Sequence, residues 1–241
     1  MEEKKIIDYT LIPAGFGIMI AYHIWLFLRV IYTPYKTVIG VNAVNRRFWV
    51  RAMMQDPSKN GVLSVQTLRN NIMASTLLAS TAITLSSVIA VLMGNATKDR
   101  RAWMFAYGDT SEMGLSVRFF CLMLCFLVAF LLNVQSIRYY NHASILINVP
   151  FNKISPDHHL TAATAEYVAK SVNWGSYFWS LGLRAFYFSL PLFLWIFGPI
   201  PMFICCVLLV LSLYFLDVAS QCDWVVGFDD DDDDDDHRND Q

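Results

Sequence analysis

Four long apolar stretches stand out along the chain. The first runs from Tyr9 to Ile31 with no charge before Arg29, and the second from Ile72 to Gly94 with none at all. The third runs from Val117 to Ile137, with Arg118 at its entrance and Asn133 and Gln135 near its exit, and the fourth from Ala185 to Leu216. A helix needs about 20 mostly apolar residues to cross a hydrocarbon core of about 30 Å, so each stretch is long enough to span a bilayer. The fourth exceeds one crossing, at about 48 Å of straight helix with a rise of about 1.5 Å per residue. Pro191 and the breaker Gly198-Pro199-Ile200-Pro201 punctuate it, so it reads as one kinked or broken span. A five-span alternative makes Trp174–Phe197 a separate crossing. That version puts Arg184 near the bilayer middle, at a cost of about 2.5–3.5 kcal/mol, and leaves the last crossing short.

The expectation is an all-α, polytopic helical membrane protein with about four transmembrane helices plus interfacial amphipathic helices. Its parts are a polar N-terminal tail (1–8), a single helical membrane domain (9–217; spans about 9–31, 72–94, 117–137 and 185–216) and a disordered acidic tail (218–241). The first stretch is longer than a signal-peptide core of about 7–15 residues and lacks a small-x-small cleavage site. It reads as a retained anchor, and no GPI signal follows at the other end.

Between the spans, Asn42–Gln55 has helical periodicity. Val44, Phe48 and Ala52 form one stripe with Trp49 and Met53 beside it, and Arg47, Arg51 and Gln55 form another. A basic face beside an aromatic–apolar face suits a helix in the headgroup plane, where Arg46, Arg47 and Arg51 would meet lipid phosphates. The competing reading is a topology signal with ordinary packing. Asp56–Gly61 is a turn cluster that ends this helix. A second surface helix is expected after Pro156, capped by Asp157 or Thr161, running into the aromatic group Trp174, Tyr177, Phe178 and Trp179 at the membrane boundary.

Composition sharpens the picture. Hydrophobic residues make up 56% of the 241 and charged residues 16%, against about 45–50% and about 25% in soluble domains. These values exclude an ordinary soluble enzyme, a disordered chain and a disulfide-rich secreted domain. The net charge of -2 misleads, because residues 229–241 hold nine acids and one Arg; the remainder carries 17 basic against 11 acidic residues. The first loop (Lys36, Arg46, Arg47, Arg51, Lys59, Arg69) and the third (Arg138, Lys153, Lys170) outnumber the opposite side (Lys4, Lys5, Lys98, Arg100, Arg101, Arg238) by nine to six. The positive-inside rule then puts the long loops in the cytoplasm and both termini outside or in a lumen.

Candidate chemistry is sparse. Ala82, Ser86, Ala90 and Gly94 recur every four residues, with Ser75 and Ala79 extending the same face upstream, a face that lets another helix approach closely, and Thr76, Ser80 and Thr84 form a hydroxyl stripe beside it. Hydroxyls bonded to the preceding turn compete with a polar lining for a small solute, to which His23 and Asn133 would contribute. An intramembrane His23 is a functional hypothesis by default, or a simple bond to a neighbouring helix. His158 and His159 diverge on a helix and His142 stands alone, so no metal site is expected. Cys121, Cys125, Cys205 and Cys206 read as small buried hydrophobes. Phosphate-binding, dinucleotide, nucleophile-elbow and metalloprotease motifs are absent from the sequence, and no cofactor is implied. The Asp229–Asp236 run reads as a solvated tail.

Several strings point to a family. Thr37-Val38-Ile39-Gly40-Val41-Asn42 precedes Arg46-Arg47-Phe48-Trp49-Val50; Val65-Gln66-Thr67-Leu68-Arg69-Asn70-Asn71 leads into Ile72-Met73-Ala74-Ser75-Thr76. Ser136-Ile137-Arg138-Tyr139-Tyr140-Asn141, Leu146-Ile147-Asn148-Val149-Pro150, Arg184-Ala185-Phe186-Tyr187-Phe188 and Leu194-Trp195-Ile196-Phe197-Gly198-Pro199 follow. In order and spacing, over residues 9–217, these resemble the plant branch of the family called domain of unknown function 599, which also has bacterial members. The resemblance implies a multi-span membrane protein and supplies no catalytic residues. Its recurrent polar positions correspond here to Asn42, Arg46, Trp49, Arg69, Asn70, Arg138, Asn141 and Arg184, a set that either builds one polar cluster at a membrane face or only fixes topology.

Three functional classes remain open. The first is a non-enzymatic interaction, scaffold or regulatory component, self-associating or bound to another membrane protein. The second is a small-solute or ion transporter, and the third a lipid-acting enzyme. The expected surroundings are the lipid bilayer of the plasma membrane or another secretory-pathway membrane, with no nucleic-acid partner.

Overall fold

The computed structural model describes residues 2–96, 112–149 and 158–218. Its helices are α1 (Glu2–Tyr32), α2 (Val38–Gln55), α3 (Pro57–Ala96), α4 (Glu112–Leu146), α5 (His158–Trp195) and α6 (Pro199–Asp217), with a 3-10 turn at Pro34–Lys36. Among the described residues there is no strand, only an isolated bridge between Thr37 and Val218. Four segments are long and apolar enough to cross a membrane: Tyr9–Tyr32, Pro57–Gly94, Met113–Leu146 and Pro199–Asp217. Large apolar side chains such as Phe27, Leu77, Leu131 and Leu208 face outward along them, as expected when the surrounding solvent is lipid rather than water.

Local chemistry sets the boundaries. Thr37 caps α2, its hydroxyl accepting from the Gly40 amide at 3.2 Å. The expected turn at Asp56–Gly61 shrinks to Asp56 alone. The Asp56 carboxylate accepts from the Lys59 amide at 3.3 Å and Pro57 takes the first helical position, a cap-and-proline start that makes Pro57–Gly61 the opening turns of α3. The Ser58 hydroxyl bonded to Asp56 holds that carboxyl below the usual range. At the other breaker, Gly198 adopts φ 152°, a conformation that favours glycine, and Pro199 opens α6.

α5 runs antiparallel along α4. Ser136 donates to the Gly175 carbonyl at 2.7 Å, Cys125 to the Ala185 carbonyl at 3.1 Å, and Phe119 and Leu122 share a core with Leu192 and Ile196. α1 and α6 run parallel, with Met19 packed on Met202 and Cys206 and Tyr22 on Leu213. The fourth apolar stretch is therefore broken at Gly198 into two elements, the last turns of α5 and the whole of α6. The end of α6 pairs with Thr37, just after α1, and lies at the opposite end of the bundle from the start of α1.

α3 packs on α4 through Ser75, Ala79, Ala82, Ser86 and Ile89, alternating steps of four and three. A strict four-residue step rotates about 40° each time, because a turn takes about 3.6 residues. Ala82 and Ser86 thus lie in the interface, while Ala90 and Gly94 have swung to the exposed side. α2 similarly presents Ala43, Val50 and Met54 to the core, leaving Phe48 and Ala52 exposed. Its Val50 and Met54 join Leu68, Tyr140, Ile147, Val168 and Val172 in a core at the end of the bundle that holds α2.

Candidate functional site: a buried Arg–Asp–Tyr network and its groove

The stretch of α4 between Arg118 and Arg138 carries no charge and covers about 30 Å at the α-helical rise. α5 passes along it with Gly182 against Asn133, where an added Cβ would lie 2.4 Å from the Asn133 amide nitrogen, and with Ala185 against Cys125. Arg184 lies between these two levels, deep within the apolar zone. An isolated cation there is costly. Asp217 neutralises it: Arg184 Nη2 donates to Asp217 Oδ1 at 2.6 Å, and the Tyr22 hydroxyl donates to Oδ2 at 2.6 Å. The charged side chains are 12% and 10% exposed. One donor thus reaches each carboxylate oxygen, in the short range of charge-assisted bonds. Arg184 Nη1, also buried, has no hydrogen-bond partner among the described residues.

Three helices converge on this network because each carries one polar residue on an apolar face. α1 brings Tyr22 beside Leu26, α6 brings Asp217 one turn after Leu213, and α5 brings Arg184. A cavity of about 690 Å³ adjoins them, lined by Phe16, Ile20 and His23 of α1, Cys121, Leu124, Cys125 and Val128 of α4, and Arg184, Phe188 and Leu192 of α5. Phe16 bridges toward α5, stacked on Phe188 at 5.8 Å. His23 Nδ1 lies 2.7 Å from the Met19 carbonyl oxygen. That oxygen only accepts, so Nδ1 carries a proton.

The other basic and amide positions do not join this site. Arg46 donates to Asn173 at 2.8 Å, Asn173 holds the Ala43 carbonyl at 3.1 Å, and burial pulls the Arg46 guanidinium below its ordinary pKa against the opposing pull of Tyr140 and Tyr177. Arg47 and Arg51 both bond Glu166 on α5. Arg69 bonds Gln66 at 3.1 Å on the exposed surface of α3, and Asn70, Arg138 and Asn141 are exposed. Nor do the intramembrane polar groups line one path. Thr76, Ser80 and Thr84 face outward, each bonded back to its own helix, while Asn133 is fully buried and donates to the Ala129 carbonyl at 2.8 Å. His142 pairs with the Tyr167 hydroxyl at 3.1 Å. The side chains of His158 and His159, the loop cations Lys98, Arg100 and Arg101, Cys222 and the Asp run lie outside the described residues.

Sequence reasoning missed Asp217. Its signal was present: it is the one acid between Glu166 and Asp223, at the far edge of the long apolar stretch that Arg184 precedes. Among the described residues no group of three His, Cys, Asp or Glu side chains could hold a metal ion. Comparison with curated proteins and with solved structures gives no match. A family model described as "Protein of unknown function, DUF599" matches residues 10–222, most of the chain and all of the network just described, and the protein belongs to that family.

Proposed function

We propose that the protein is a non-enzymatic interaction or scaffold component of a membrane assembly, in the plasma membrane or another secretory-pathway membrane. What carries this reading is the outward face of α3. Within the membrane α3 packs chiefly on α4, and one exposed flank of it carries Thr76, Ser80, Thr84, Ser87, Ala90 and Gly94 beside the exposed Leu77, Val88 and Val91. Lipid-facing helix surfaces need only large apolar side chains. Small and hydroxyl residues instead suit the close approach of another helix, from a second copy or a different membrane protein. The hydroxyls satisfy themselves on their own backbone, so the face needs no water and serves packing better than conduction. Ala90→Leu places bulk on this face without touching the α4 interface. Crosslinking in native membranes should lose the wild-type adduct at least fivefold in A90L while monomer abundance stays unchanged; an adduct of equal yield removes the reading.

A further inference from the structure

We propose that the seam where α2 packs on α5 binds the headgroup of an anionic phospholipid that ends in a phosphate monoester, with Arg46 and Lys170 holding the phosphate. The proposal is independent of the α3 face. Glu166, Lys170, Asn173 and Tyr177 follow one another at steps of four, three and four, so they share one face of α5. That face meets α2. Glu166 bonds Arg47 and Arg51, Asn173 bonds Arg46, and Tyr177 stands close enough to act on the Arg46 charge. Lys170 lies between Glu166 and Asn173 on the same face and is exposed. The seam thus gathers four cations, Arg46, Arg47, Arg51 and Lys170, around the single acid Glu166, which is engaged by Arg47 and Arg51. Asp56, at the far end of α2, caps α3 instead. Arg46 is therefore a half-buried guanidinium with no carboxylate partner among the described residues. Its terminal nitrogens bond no described side chain and, unlike Arg184 Nη1, are not sealed inside the fold.

The level in the bundle is that of the headgroups. The charge-free stretch of α4 ends at Arg138, and Tyr140, just beyond it, is the other ring acting on Arg46. Trp174 of α5, exposed at the surface, stacks on Tyr139 at 6.4 Å, as aromatic side chains do at a membrane–water boundary. The bond from Arg46 Nε to Asn173, itself tied to the Ala43 carbonyl, fixes the plane of the guanidinium, so a ligand finds its fork already oriented. That fork suits two oxygens of one phosphate, and an ammonium serves a third as a point charge. A monoester has three free oxygens and a charge approaching two, whereas a diester has two free oxygens and one charge. The excess of cations at the seam favours the monoester.

Native mass spectrometry of the full chain in mild detergent, offered equal amounts of phosphatidic acid, phosphatidylglycerol and phosphatidylcholine, tests this. Phosphatidic acid should be retained at least fivefold over either diester. Arg46→Lys keeps the charge and loses the fork, and should cut that preference at least fivefold. Lys170→Gln should cut it at least threefold. Arg69→Gln, which removes a cation bonded to Gln66 on α3, should change it less than twofold. Excess glycerol phosphate, the same headgroup without acyl chains, should displace less than half of the bound lipid. All three variants should elute as the wild type does; if R46K does not, K170Q decides, because Lys170 is exposed. Equal retention of a diester, a loss in R69Q as large as in K170Q, or full displacement by glycerol phosphate would each overturn the proposal.

Discussion

Asp217→Asn removes one charge and leaves nearly the same volume, so it isolates what the carboxylate does for Arg184. In the native protein the guanidinium and the carboxylate are 12% and 10% exposed and 2.6 Å apart. The asparagine carbonyl still accepts one hydrogen bond, but the Arg184 charge then stands unneutralised with Nη1 already unpaired. Breaking a buried pair from one side costs about 3–5 kcal/mol, whereas replacing both members by apolar residues is often neutral. D217N should therefore destabilise the fold by about 3–5 kcal/mol, and Arg184→Met with Asp217→Leu should recover most of that loss. The coupling between the two sites should then be about 2 kcal/mol or more. Reversible unfolding of wild type, Arg184→Met, Asp217→Leu and the double variant in mixed micelles, followed by circular dichroism, gives the cycle, with D217N measured beside it. A D217N cost below about 1 kcal/mol would refute the argument that the pair is what lets α5 carry a cation through the apolar zone, as would a double variant no better than the single.

Other predictions use the same measurement. Gly40→Ala should cost about 1–3 kcal/mol or more, because its Cβ would fall 2.1 Å from the Pro34 carbonyl oxygen, a backbone atom fixed by its bond to Thr37. Gly94→Ala, where a Cβ meets nothing within 4 Å, should instead gain up to about 1 kcal/mol of helix propensity. Glu166→Gln breaks the bonds to Arg47 and Arg51, whose side chains are 49% and 55% exposed; its cost should stay below about 1 kcal/mol and vanish in molar salt.

The helical membrane class was legible because run length and lack of charge depend on composition alone, and a bilayer reads composition directly. The break at Gly198-Pro199 was legible for a local reason, since proline and a left-handed glycine act within one turn. What failed was rotational phase. The sequence stripe was right from Ser75 and Ala79 through Ala82 and Ser86, but its fixed step of four carried it on to Ala90 and Gly94, and only the position of α4 decides that Ile89 continues the interface instead. The same holds for α2, where Ala43 and Val50 face the core because Asn173 of α5 anchors that side through the Ala43 carbonyl and Arg46. Of the two readings open for Arg69, Arg138 and Arg184, a single cluster does not form, because the first two lie at the exposed surface of α3 and α4 and the third is held inside by Asp217.

The fourth apolar stretch joins these threads. Splitting it between α5 and α6 was unattractive in sequence because it put Arg184 in lipid at a cost of about 2.5–3.5 kcal/mol. That cost applies to a helix considered alone. In the folded chain the sequence places the compensating acid 33 residues later, after a reversal at Gly198 that brings α6 back past α5. The bundle consists of two parts, α3–α4–α5 packed along their lengths and the parallel pair α1–α6, and the Arg184–Asp217–Tyr22 bonds run from the first part to both members of the second. An apolar contact between the parts could slide by a turn at little cost in lipid, since lipid tails replace side-chain contacts nearly as well. A charge pair with short bonds cannot, because any slip leaves a cation in hydrocarbon. The network therefore fixes the register of α1 and α6 against α5, and with it the width of the groove that opens beside Arg184.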